Sequence, residues 1–176
     1  MNNLITYKGI IHFDPINKTK KHELQADWKR MALVMLNGEI CEYYAWFIEK
    51  RYDLKLIKPL RDAHISFIND SINDIKKGSG IENDAEVEVL WETVKNKWDN
   101  KEIEVVFNLD VMGNGPHWWM IIPHEERVFL HNIRKELGLE KPYFGLHMSV
   151  GIVNEKNYEH SKYILGLINK FGEDFK

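Results

Sequence analysis

The sequence predicts an α+β domain, and three observations carry that prediction. Short β-rich runs alternate with helix-period stripes along the whole chain. The two halves repeat one order of elements: strand, strand, helix, strand, helix. The fourth element of each half holds one tripeptide pattern, His64-Ile65-Ser66 in the first and His147-Met148-Ser149 in the second. The two histidines stand 83 positions apart in a chain of 176 residues, so the pattern reads as an internal duplication.

Taken in order, residues 6–13 are β-rich and stop at the Asp14-Pro15 turn signal. The polar stretch 14–27 reads as a loop, and 28–36 as a strand. Asn37 is placed to cap a helix over 38–51, whose stripe is Ile40, Tyr43, Tyr44, Phe47 and Ile48. Residues 62–68 alternate as a strand does. Residues 69–84, rich in Asn, Asp, Ser and Gly, read as a loop. A helix over 85–99 puts Val87, Leu90, Trp91, Val94 and Trp98 on one face. Residues 102–109 read as a strand, 111–115 as a turn, and 117–122 as its hairpin partner. A helix over 124–137 buries Leu130, Ile133 and Leu137, and Gly138 suits its C′ position. Residues 143–153 read as a strand. Asn154 then caps a helix over 155–171 with Ile164, Leu167, Ile168 and Phe171 inward.

Composition narrows the function classes. At 44% hydrophobic, with six Trp, the chain is too apolar for disorder and long enough for one core. A net charge of -3 argues against coating long nucleic acid and leaves room for a small anionic ligand in a local basic pocket. Cys41 is the only cysteine, which excludes an intrachain disulfide and a Cys-based zinc site. The first twenty residues lack an apolar signal core, and no run approaches a membrane span. The expected location is therefore the cytoplasm, with no membrane partner.

The chemistry rests on the two tripeptides. Eight histidines and eight Ser plus Thr are present, yet only His64 and His147 have a hydroxyl two residues on. In a strand, residues i and i+2 share a face. His64 and Ser66 then point one way and Ala63, Ile65 and Phe67 the other. His147 and Ser149 stand likewise against Leu146, Met148 and Val150.

Two H-x-[ST] strands, one per half and each followed by a hydrophobic residue (Phe67, Val150), resemble the 2H phosphoesterase superfamily. The likeness spans nearly the whole chain and is greatest to the small viral and bacterial "Swiss army knife" branch, which includes phage anti-CBASS cyclic-nucleotide phosphodiesterases. Ser stands here at both positions where Thr is common in the family, so the hydroxyl rotamer is held less firmly.

The resemblance implies one bilobal domain over 1–176, with pseudo-repeat halves of about 1–100 and 101–176. Two antiparallel sheets would face each other across a cleft, with helices outside and one H-x-S strand per lobe on the floor. It implies His64, Ser66, His147 and Ser149 as the catalytic set, needing neither metal nor cofactor. Two imidazoles flanking a phosphodiester can serve as general base and general acid, and two hydroxyls can bind the phosphoryl oxygens. The first-ranked substrate is a cyclic di- or trinucleotide messenger cleaved at a 3′–5′ bond, which in viral members silences host nucleotide-based immunity. A 2′,3′-cyclic phosphate or a 2′–5′ linkage in RNA processing is the alternative, and a nucleotide sponge without turnover the second.

Trp118 and Trp119 face opposite ways if both lie in a strand; one then belongs to the core and the other is free to stack on a nucleobase. Tyr7 is a further stacking candidate, with core or rim packing as its other reading. Lys55, Lys58 and Arg61 precede the first motif and read either as phosphate charge, Arg61 above all, or as a solvated basic run. His117, His124 and His131 recur every seven residues, too far apart for a shared chelate. The runs 22–26 and 124–128 lack the second His of H-E-x-x-H. Neither a P-loop ending nor a G-x-S-x-G elbow is present. Cys41 reads as a small packing residue.

Overall fold

The computed structural model describes residues 4–15, 29–37, 39–59, 61–142 and 145–172, with 124–126 and 170–172 as backbone alone. In chain order the elements are β1 (Leu4–Phe13), β2 (Lys29–Leu36), α1 (Glu39–Tyr52), β3 (Leu56–Ile57), β4 (His64–Ser71), α2 (Ile72–Ser79), α3 (Asp84–Trp98), β5 (Glu102–Asn108), β6 (Val111–Gly113), β7 (His117–Ile121), α4 (His124–Glu136), β8 (His147–Val153), a 3₁₀ turn (Glu155–Asn157) and α5 (Tyr158–Gly172). No helix among them is long and apolar enough to cross a membrane. The class is α+β, as expected. The described strands, however, form one antiparallel sheet rather than two, in the order β5-β1-β2-β4-β8-β7-β6 with β3 added to β8. The halves fuse because β4 and β8 meet at the single pair Ile65↔Met148. The sheet curls so that β5 also approaches β7.

Each half lends a strand to the other. β5 pairs along β1 from Leu4↔Asn108 to Ile10↔Glu102, and β3 pairs with β8 at Leu56↔Val153. The hairpin expected between 102–109 and 117–122 is therefore replaced. The stretch read as its turn contains β6, which pairs with β7 from Val111↔Met120 to Gly113↔Trp118. Asn114 closes that hairpin, its Oδ1 accepting from His117 N at 3.2 Å.

One face of the sheet carries the core. Ile11, Val34, Ile65, Met120 and Met148 are all fully buried there, in register across five strands. α1 covers it with Ile40, Tyr44 and Ile48, and α3 with Val87, Trp91 and Val94. Trp91 packs edge-on to Phe13 at 5.0 Å between ring centroids. Tyr43 was expected on the α1 stripe but is 58% exposed; Cys41 takes its place inward, because the helix turns its 41/44/48 row to β8. Among the described side chains of α5 the buried positions are Ser161 and Leu165. The side chain of Phe171 and residues 16–27 of the stretch 14–27 read as a loop lie outside what the structure describes.

Residues 69–84 are not a loop. Their polar composition comes from two consecutive helix caps. Ser71 Oγ accepts from Asp74 N at 3.1 Å while Asp74 Oδ2 accepts from Ser71 N at 2.9 Å, a capping box that starts α2. Gly80, at φ +75°, ends it, and Asn83 then caps α3 through Glu86 N at 2.8 Å. The ends of α2 and α4 touch backbone to backbone at Gly78 and Gly138. A Cβ on Gly78 would collide with the Gly138 carbonyl. Gly78→Ala is expected to cost about 1–3 kcal/mol in denaturant titration. Gly166→Ala, which meets nothing within 4 Å in the exposed middle of α5, is expected to stabilise by about 0.5–1 kcal/mol. Equal effects at the two sites would refute the close contact.

Candidate active site

β4 and β8 bring the two tripeptides side by side. With Ile65 opposite Met148, antiparallel register sets His64 across from Ser149 and Ser66 across from His147. Ile65 and Met148 point into the core, so the four polar side chains share the other face. Ser66 is exposed, and His64, His147 and Ser149 are half-buried. The imidazoles are diagonal neighbours, a relation with a regular spacing of about 7–8 Å between Cα atoms.

Both imidazoles are held the same way. His64 Nδ1 lies 2.7 Å from Asp62 O, and His147 Nδ1 lies 2.7 Å from Gly145 O. A carbonyl only accepts, so each Nδ1 carries its proton and donates. Each Nε2 is then free to take or give a proton on the open face. The residues supplying the carbonyls are unlike, and a backbone contact has no side-chain signature in sequence. His64 is pushed below the ordinary imidazole value, first by burial and then by the charges of Arg61 and His147, against the opposing pull of the Asp62 carbonyl and carboxylate. From behind, Cys41 Sγ donates to Ser149 O at 3.3 Å. Burial pushes its thiol up to about 11, so Cys41 is a packing group as expected.

A cavity of about 480 Å³ opens beside His147 and Ser149. Trp119 forms one wall. It stands on β7 opposite Ser149 of β8, its ring centroid 5.9 Å from that of His147 at 54°. Trp118 faces the core instead, fully buried, with Nε1 donating to Ser161 Oγ at 2.9 Å. The bulge between the two tryptophans re-aims the strand at that point. Of the pair, Trp118 is thus removed from the candidate ligand contacts. Tyr7 is removed as well: it shares the core-facing row of β1 with Ile11 and Phe13 and packs edge-on to Phe107 at 6.4 Å.

Arg61 stands near enough to His64 to act on its charge, but lines a separate recess of about 380 Å³ with His12, Met35 and Asp62. Lys58 pairs with Glu42 in the open, and Lys55 is exposed, which fits the solvated reading of that run. Sequence reasoning missed Arg127 and Asn114, which line the cavity beside His147 together with His117. They come from a helix and a turn, at no fixed spacing from either motif. Among the described residues no cluster of His, Cys, Asp or Glu is close enough to hold a metal ion. Comparison of the chain with protein-family profiles, curated proteins and solved structures gives no match.

Proposed function

We propose that this chain is a phosphodiesterase of the two-histidine, 2H type, acting on a small nucleotide. The observation that carries the reading is the pair of imidazoles, each fixed through Nδ1 to a backbone carbonyl two residues earlier, each opposite a serine of the neighbouring strand. In the reaction, the base imidazole takes at Nε2 the proton of the ribose 2′-hydroxyl as its oxygen bonds to the adjacent phosphorus, closing a 2′,3′-cyclic phosphate. The other imidazole, protonated, gives one to the departing oxygen as the P–O bond breaks. Ser66 and Ser149 donate to the non-bridging oxygens, where charge grows in the transition state. His64 is the base, because its environment favours the neutral ring. The first-ranked substrate remains a cyclic di- or trinucleotide cut at a 3′–5′ bond. Trp119 and the cavity beside His147 give a base a stacking surface worth about 1–3 kcal/mol.

The test is turnover of cyclic di- and trinucleotides, a 2′–5′ dinucleotide and a 2′,3′-cyclic mononucleotide, with EDTA present, products resolved by chromatography. Both proton transfers come from the chain itself, so cleavage is expected to persist in EDTA. Binding without turnover would make the protein a nucleotide sponge.

The pH profile provides a second check. Activity needs His64 neutral, so it falls as pH drops through the His64 pKa. That value is lowered from 6.5, and the acidic limb of kcat/KM is expected below pH 6.5. Arg61→Gln removes one of the lowering charges, so the limb moves to higher pH. A limb that stays put in that variant would rule out His64 as the base.

A further inference from the structure

We propose that Arg127 makes the cavity beside His147 selective for a nucleotide unit bearing a phosphate of its own, separate from the one cleaved. This rests on the phosphodiesterase reading above. Among the described residues that line the cavity, Arg127 is the fixed charge, and His117 and His147 stand with it. Arg127 is half-buried in the first turn of α4, and its Nε donates to the Ile122 carbonyl. That bond fixes the plane of the guanidinium, and among the described residues neither terminal nitrogen has a hydrogen-bond partner. Nη1 lies 3.6 Å from where a Cβ would stand on Gly145, whose carbonyl holds His147. Gly145 is two residues of chain from His147, a span of about 7 Å. Along the chain Gly145 precedes His147, while His64 stands level with Ser149 beyond it, so the cation sits on the side of His147 away from His64.

A guanidinium held in this way suits a planar fork of phosphate oxygens. With Trp119 under the base and Asn114 at the cavity wall, the site takes a base, its sugar and a second phosphate. Rings of two or three nucleotides and end-phosphorylated linear dinucleotides have that second phosphate. A 2′,3′-cyclic mononucleotide does not.

The decisive measurement is equilibrium binding of an uncleavable 2′-deoxy dinucleotide in three forms: bare, 5′-phosphorylated and 3′-phosphorylated. One terminal phosphate is expected to tighten binding to the wild-type chain by about tenfold or more. Arg127→Gln is expected to abolish that gain and Arg127→Lys to restore part of it, with melting temperatures confirming that both variants fold. No gain from either phosphate, or a gain that survives Arg127→Gln, overturns the proposal, as does failure of all three forms to bind. Should the binding pattern hold while ribonucleotide substrates stay uncleaved, the phosphodiesterase reading fails and the phosphate site stands.

Discussion

His64→Ala and His147→Ala are each expected to reduce kcat/KM by about 10²–10⁴-fold, the range for losing one positioned proton-transfer group. The double variant is expected to lose little more than the worse single one, because the two rings act within one transition state. Both side chains are half-buried and each makes its recorded bond to a carbonyl of its own strand entry, so removal leaves the core rows of β4 and β8 untouched. Melting temperatures near wild type are expected, which separates lost chemistry from lost fold. Ser66→Ala and Ser149→Ala keep both rings and are expected to lose about 10²-fold or more, the scale for one preorganised donor to a developing oxyanion. The acidic limb should vanish in His64→Ala if residual activity remains measurable. Either single histidine variant retaining a tenth or more of wild-type kcat/KM would end the two-histidine account.

How far the site was legible follows from what kind of contact builds it. Period-two alternation is a property of side chains, so the face shared by His64 and Ser66, and by His147 and Ser149, could be read directly. The adjacency of the strands could not, since it rests on one non-local pair, Ile65↔Met148. The carbonyls of Asp62 and Gly145 left no trace, because any residue supplies a carbonyl. Alternation did not assign Trp118 and Trp119 between core and cavity, because it left open which face of that strand is buried. For Tyr7 the packing reading holds: its row on β1 is the buried one, which a β-rich run does not by itself announce. Local pairing was assumed for β5, yet its partner is β1, nearly a hundred residues earlier. The same bias toward composition hid α2, where Ser71, Gly80 and Asn83 are cap residues rather than loop residues.

Asp70→Ala is expected to be the most destabilising polar substitution in the chain. Arg134 is 2% exposed and all of its recorded partners are acceptors it needs. Nη1 donates to Asp70 Oδ2 at 2.7 Å and to Phe67 O at 2.7 Å, and Nη2 to Asp70 Oδ1 at 3.0 Å. Nε donates to Glu140 O at 2.8 Å. The side chain thus straps α4, from the second half of the chain, to β4 from the first. Taking away Asp70 leaves a buried guanidinium without its countercharge, a loss of about 3–5 kcal/mol for enclosed pairs. Asp70 is 20% exposed and two carbonyls persist, so the low end, about 3 kcal/mol, applies. For a chain of this size that lowers the melting temperature by about 6–12 °C. Arg134→Met removes the charge together with the need to neutralise it; Asp70 can then hydrate, and the cost is expected to be smaller, about 1–3 kcal/mol. The order of the two variants is the diagnostic, since a purely steric strap would make Arg134→Met the worse. Lys8→Ala, which breaks the open pair with Glu102, serves as the control and is expected to leave stability unchanged within error. Phe67 adjoins Ser66, so the Arg134 bond to its carbonyl also steadies the strand that presents His64. If Asp70→Ala melts with Lys8→Ala and wild type, the two halves are held by the apolar core alone, and no polar strap joins β4 to α4.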